Sequence, residues 1–358
     1  MTRFVILTML LLMLGCARSL KQPYSIETPA SFATDLQKPV DELWQNKLKA
    51  YPNQVMFLND SLLLIGDSRG GLTTFNINTG DRTDRYWRPL KRPVQLYDRL
   101  GSVLYFTAES ERDVIAWDLQ HAEQLWKIKL DIDYSDMIAV DSMLYAISDS
   151  SAAKIDAQSA DLLKTIPFET KLIKGVAYAE DKIYFCSESG ELFEFDQHLD
   201  RLDQMDLDLP MVHGLQQHGD RLIVYNSQAS IRIVDLKEFK IEFSTDLGEP
   251  LYAAPRVAHD LLIVPFATGT VTAYSMTDAS PAWRFSGKSL LNLDLLITDH
   301  NIILVYARGQ VVSLNPKTGE KQWQYDHDES LTFAALTQRG ILLGHRREIF
   351  FIGEKHER

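Results

Sequence analysis

The chain has 358 residues, 45% of them apolar, enough to bury a core and compatible with two ordinary domains or with one repeat architecture. Its formal net charge is -12 with no long run of Lys or Arg, which excludes the electrostatic footprint of a DNA- or RNA-binding protein. The basic group Arg85, Arg88, Lys91 and Arg92 and the acidic stretch Asp200, Asp203, Asp206 and Asp208 both read as solvated loops and strand faces.

Residues 1–15 read as an export signal. Arg3 supplies a charged start, Phe4 to Leu14 form an apolar run, and Gly15-Cys16 follow at once. The run is too short to span a bilayer, which takes about 20 apolar residues. A small residue before a Cys resembles the signal of a lipoprotein, so Cys16 is the expected lipidation site, with Met13 standing where Leu is usual. Residues 16–40, with Pro23, Pro29 and Pro39, are expected to form a lipidated polar tether. The second cysteine, Cys186, lies in the strand-like run Ile183-Tyr184-Phe185-Cys186 and reads as an inert buried thiol. With only these two cysteines no disulfide framework is expected.

From residue 41 to 354 the chain repeats. Phe75, Trp117, Ile155, Phe195, Val234, Tyr274, Leu314 and Ile352 are spaced 38 to 42 residues apart. Each is preceded by a second short run, such as LLLIGD, KIYFCS or IILVYA, rich in aliphatic and aromatic residues. A third run follows after a turn. NPKTGEKQW, leading to Trp323, is its clearest copy: Thr318-Gly319 turns the chain, and the next strand presents the Trp. Trp87, Trp126 and Trp283 occupy the same place, and Lys164, Asp203 and Phe243 stand there in the middle repeats.

These runs lack the three- and four-residue spacing of helical repeats. They predict an all-β chain, an eight-bladed β-propeller of four-stranded antiparallel blades. The chain stops too soon after Ile352 to supply a last outer strand. Glu42-Leu43-Trp44-Gln45-Asn46-Lys47-Leu48 resembles Gln124 to Leu130, so the N-terminal strand is expected to pair with the C-terminal blade and close the ring. Trp44, Trp87, Trp126, Trp283 and Trp323 are the expected structural anchors of the blades.

The strand, Asn or Asp, Thr-Gly turn and Trp-bearing strand at residues 315–323 resemble the PQQ-like β-propeller repeat family. That family includes quinoprotein dehydrogenases and a lipoprotein subunit of the outer-membrane β-barrel assembly machinery. The signal, the blade number and the body size are similar to the latter. The adjacent cysteines of the quinoprotein enzymes are missing here. His218, His259 and His300 fall in the same hairpin turn of three successive repeats and cannot converge on one metal ion. No His-Glu-x-x-His pair, phosphate-cradling Gly-rich loop or Gly-x-Ser-x-Gly elbow is present, and Asp131 and Asp133 read as loop carboxylates.

The expectation is therefore a non-enzymatic outer-membrane lipoprotein, a protein-interaction scaffold with no cofactor and no metal. Its partner would be another envelope protein, with the β-barrel assembly machinery implied by the resemblance. The alternative is an exported quinoprotein-like or hydrolytic enzyme with its site in the central channel. The resemblance carries over no partner-binding residue, and the body is expected to be monomeric. Replacing Cys16 with Ser should release the protein from membranes into the soluble fraction, because lipid burial contributes about 0.8 kcal/mol per CH₂ and no transmembrane helix substitutes for it. Retention of the variant on membranes at high salt would refute the lipid anchor.

Overall fold

A computed structural model describes Leu36 and residues 40–83, 92–108, 112–121, 123–130, 135–337 and 339–354. Among these residues there is no helix, and every strand belongs to one of eight antiparallel sheets. Blade 2 shows the plan. Val94–Leu100, Val103–Ala108, Asp113–Asp118 and Glu123–Lys129 pair in sequence order, and the first strands of blades 2 and 3 lie side by side. Blades 3 to 7 repeat it, starting at Asp136, Ala177, Val212, Arg256 and Leu296. Blade 1 contributes Pro52–Phe57, Leu62–Asp67 and Leu72–Asn76, and its expected outermost strand, with Trp87, lies outside the described residues.

Blade 8 closes the ring. Phe333–Leu336, Gly340–His345 and Glu348–Glu354 come from the C-terminus, and Val40–Lys47 adds the fourth strand from the N-terminus. The two ends pair from Val40 opposite Glu354 to Lys47 opposite Glu348. This is the closure the sequence predicts, and it leaves the ring without a strandless gap.

The hydrophobic core runs as layers between blades. One cluster joins Leu63, Ile65 and Phe75 of blade 1 to Leu342, Ile349 and Phe351 of blade 8, and each of the others likewise spans two neighbours. At every pairing of third and outermost strand from blade 2 to blade 8 the register slips by one residue at the same place. The bulge re-aims the next residue toward the neighbouring blade. That residue is Trp126, Lys164, Asp203, Phe243, Trp283, Trp323 and, in the closing strand, Trp44.

What the bulge aims at is the turn between third and outermost strand of the next blade. Trp44 Nε1 donates to the Ile77 carbonyl at 2.6 Å, Trp126 Nε1 to Ala157 at 3.0 Å, and Trp283 Nε1 to Pro316 at 2.9 Å. Beneath the ring lies the turn residue that needs positive φ: Gly80 at 74° under Trp44 and Gly319 at 69° under Trp283. Where the outer strand carries a smaller or polar side chain, the turn residue opposite is larger. Lys164 is followed in the next blade by Leu199, and Asp203 by Phe239, both also at positive φ. Junction volume is thus shared between two blades, and the sequence-degenerate middle blades keep it by moving bulk from strand to turn. A second set of bonds runs beside the first. Tyr145 and Tyr184 hydroxyls donate to Gln197 and Leu236 carbonyls of the next blade, at 2.8 and 3.0 Å.

A third ring of bonds lies nearer the axis. Gln217 accepts from the Tyr178 N–H at 3.1 Å and donates to its carbonyl at 2.7 Å, and Asp98 accepts from the Ala139 N–H at 2.8 Å. These polar side chains complete first strands that have no backbone partner across the junction.

The Trp–Gly junction yields a quantitative expectation. Trp44→Ala should cost roughly 3–5 kcal/mol. A Cβ at Gly80 would fall 2.5 Å from the Trp44 ring, so Gly80→Ala should cost roughly 1–3 kcal/mol from overpacking. Urea unfolding of the double variant should show less than the sum, because the clash disappears with the ring. Strict additivity would mean that the two groups do not share one space.

Candidate docking face

The strand order sorts the connections onto two faces. On one lie the turns from first to second and from third to outermost strand, joined by bonds such as Ile77 N–H to Ser61 carbonyl and Ala157 N–H to Ser142 carbonyl, both 2.8–2.9 Å. This turn face is acidic, with Asp60, Asp141, Asp181, Asp220, Asp260 and Asp299 in first-to-second turns. In the third-to-outermost turns, Asn76, Asp156, Asp196, Asp235 and Asn315 each accept a backbone N–H two residues on, at 2.8–2.9 Å, which explains the recurring Asn or Asp.

The opposite face carries the second-to-third turns and the loops that lead from one blade to the next. Ser68 N–H to Tyr51 carbonyl, Val212 N–H to Glu188 carbonyl and Leu251 N–H to Ser227 carbonyl, at 2.8–2.9 Å, tie loop to turn. Here acidic and basic residues mix, with Glu188, Glu249 and Asp294 beside Lys171, Lys288 and Arg308. Apolar side chains also stand out of it. Met211, Tyr252 and Leu290 are 76%, 40% and 56% exposed, and they occupy three consecutive junctions, from blades 4/5 to 6/7. Tyr51 is likewise exposed at the junction of blades 8 and 1.

Their exposure is built in by their neighbours. Val212, Leu251 and Leu291 pack into the core beside them, so adjacent residues in the loop must point outward. Tyr252 N–H donates to the Pro265 carbonyl at 2.9 Å, and Asn292 Nδ2 donates to the Leu331 carbonyl of the following loop. The loop bearing Met211 is held by Arg232, a buried side chain on the third strand of blade 5. Its Nε donates to the Leu207 carbonyl at 3.1 Å and its Nη2 to the Asp208 carbonyl at 3.0 Å, while Nη1 pairs with Asp246 at 3.0 Å. Asp208 and Met211 sit at φ 48° and 58° within this loop.

The residues singled out in the sequence fall elsewhere. Cys16, Trp87, Asp131 and Asp133 lie outside the described residues. Trp44, Trp126, Trp283 and Trp323 are all at blade junctions. His218, His259 and His300 are at the turn face on successive blades. His259 and His300 line a cleft of 240 Å³ with Lys317 and Gln322, in which His259 Nε2 meets the Asp299 carbonyl at 2.9 Å. Among the described residues no three His, Cys, Asp or Glu side chains are grouped to hold a metal ion. Cys186 is fully buried, and burial pushes its thiol up to about 12. In the first strand of blade 3, burial holds the Asp136 carboxyl above its usual range, against the opposing pull of Lys174. The exposed loop residues recur at the repeat spacing, but their side chains are unlike, so no common residue type marks them in the sequence. Their signal is an apolar residue directly beside a buried anchor in a loop, as in Met211-Val212 and Leu290-Leu291.

Comparison with known proteins follows the fold. Residues 200–355 match the family model described as outer membrane protein assembly factor BamB. The crystal structure of BamB from Moraxella catarrhalis superposes with a TM-score of 0.70 at 12% identity, covering 88% of this chain and 100% of that one. The C-terminal WD40 domain of Sif2 matches with a TM-score of 0.70 at 12% identity, covering 89% and 99%. The computationally designed Ika8 protein matches at 0.69 and 11% identity, covering 86% and 98%. No curated protein matches the sequence. The chain is an eight-bladed β-propeller resembling BamB, with the PQQ-like match over residues 200–355.

The role of Arg232 can be tested directly. Arg232→Met strips the donors from the Leu207 and Asp208 carbonyls, so amide exchange across residues 207–212 should quicken while that of residues 247–256 is unchanged. Equal protection of both loops in the variant would show that the Met211 loop is held by something else.

Proposed function

We propose that this chain is a lipid-anchored, non-enzymatic scaffold of the outer membrane that docks a protein of the β-barrel assembly machinery through its loop face, a BamB-like role. The observation that carries this reading is the row of exposed apolar side chains on consecutive junctions, Met211, Tyr252 and Leu290, set on a rigid ring. Exposed apolar groups backed by fixed anchors are the usual cores of docking surfaces, because they are presented without an ordering cost. The family match over residues 200–355 covers all three positions. The lipid anchor rests on the signal-like segment ending at Cys16, and the membrane assignment on the likeness to BamB.

The turn face is the poorer candidate. The carboxylates of its third-to-outermost turns are engaged in capping those turns, and its turn carbonyls are used to bind the neighbouring blade.

The test is co-purification of the β-barrel subunit with the full-length, tagged protein from mildly solubilised envelopes. Replacing Met211, Tyr252 and Leu290 together by Asp should reduce recovery at least tenfold, as for loss of central docking residues. The melting temperature should stay within a few degrees, since the three side chains are outside the core. Undiminished recovery by the triple variant, or none by the unsubstituted protein, would overturn the proposal.

A further inference from the structure

Blades 3 to 7 each have a covalent turn between third and outermost strand, and blade 8 has none, because its third strand, Glu348–Glu354, and its outermost, Val40–Lys47, come from opposite ends of the described residues. One residue stands in for the missing turn. Leu36 is 2% exposed, packed in one cluster with Ile303 and Val305 of blade 7 and Ile341 and Ile352 of blade 8. Its carbonyl accepts from Trp323 Nε1, the same kind of bond that Trp44, Trp126 and Trp283 make to a real turn.

The socket has a feature of its own. Asn301, 0% exposed, accepts the Leu36 N–H on Oδ1 at 3.0 Å and lies with Nδ2 3.1 Å from the Leu36 carbonyl, so that one side-chain amide reads both polar groups of the residue. Asn301 is itself fixed: its N–H donates to Thr298 Oγ1 at 3.0 Å, and Nδ2 lies 2.9 Å from Ser313 Oγ and 2.7 Å from Gln322 Oε1. In the other blades the residue at this position, just before the second strand's pairing with the repeat aromatic or aliphatic residue, is Leu62, Val103, Met143, Lys182, Arg221, Leu261 or Gly340. The amide occurs beside the seam, where a free backbone has to be bound.

We propose that the open edge of blade 8, with the blade 7/8 and blade 8/1 junctions beside it, is a peptide-binding site whose ligand is Leu36 with the strand Val40–Lys47, and that the same residues of a second copy of this chain can fill it. Everything the site reads lies within those residues: the Leu36 backbone and side chain, the pairing from Val40 to Lys47, and the Trp44 indole bound to Ile77. A second copy supplies identical contacts, so exchange needs no new interface, only extension of the link from Leu48 to Tyr51 that leads into blade 1. The chain's own segment wins when dilute, because its effective concentration at the site is high. At high concentration, or when two chains fold together, rings become joined by exchanged closing strands.

Cross-linking tests this on the full chain, with Cys16 replaced by Ser. Lys47 and Glu348 face each other in register at the exposed end of the pairing. The doubly substituted chain, Lys47→Cys with Glu348→Cys, should form an internal disulfide, since facing strand residues meet its distance requirement. Differently tagged single variants, one with each Cys, are then unfolded and refolded together at high concentration. A disulfide-linked dimer carrying both tags is the expected result. Leu36→Ala in both chains should raise the rate of dimer formation from native, already folded chains by about tenfold or more, because it removes only the segment's anchor in the socket. Internal cross-linking in the double variant with no mixed dimer from the single variants would overturn exchange. An unchanged rate for Leu36→Ala would overturn the socket as the recognition element, and failure of the internal cross-link would overturn the pairing on which both rest.

Discussion

The ring depends on one interaction: an aromatic ring projected from the outermost strand of one blade onto the backbone turn of the next. Among the described residues the blades share no backbone ladder with each other, so beyond single loop-to-turn bonds such as Val212 N–H to the Glu188 carbonyl they are joined by side chains. A Trp answers two demands at once. Its face covers apolar area, and its single N–H satisfies a turn carbonyl that the junction would otherwise bury unpaired. Trp44, Trp126 and Trp283 all do this, and the bulge before each turns the ring toward its target. The Thr-Gly turn follows from the same contact, because a side chain at Gly80 or Gly319 would occupy the place of the ring.

Seen in this way, the middle blades obey the rule with its terms exchanged. Lys164 gives up the indole, yet reaches the same turn by an ion pair to Asp200 at 2.6 Å, while Leu199 is buried in the cluster below. At the next junction Phe239 stacks on Tyr184 with ring centroids 6.1 Å apart, so the aromatic comes from the turn and the preceding blade's second strand. The exposed part of the Lys164 pair is worth little by itself. Burial of Leu199 and Phe239, with the Tyr145 and Tyr184 hydroxyl bonds, carries these junctions.

Much of this was legible in the sequence. Repeat length, strand number and closure by the N-terminal strand follow from the spacing of aromatic residues and from the likeness of Glu42 to Leu48 with Gln124 to Leu130. Such signals survive because junction geometry recurs in every blade. The rest depends on contacts between residues far apart in the chain. Asn301 reads as an ordinary turn residue until Leu36, 265 positions away, is placed against it. Likewise the pairing of a small strand residue with a large turn residue is invisible within one repeat, because the two partners belong to different ones. The loop face escapes a reading of the repeat for another reason: Met211, Tyr252 and Leu290 recur at the repeat spacing but as unlike side chains, because the ring fixes the loop position and leaves the exposed side chain free.

That freedom is what the proposed docking face has and the turn face lacks. On the turn face, side-chain oxygens cap turns, turn carbonyls accept the junction bonds, and Gly or another residue at positive φ must sit under an aromatic ring. Few substitutions there are neutral. In the inter-blade loops the core takes anchors such as Leu207, Val212, Leu251, Leu291 and Leu331, while Met211, Tyr252 and Leu290 face water. A propeller can therefore change what its loop face binds without disturbing the contacts that hold the ring together. The same division accounts for a fold shared at about 12% identity with proteins as different as BamB and a WD40 domain.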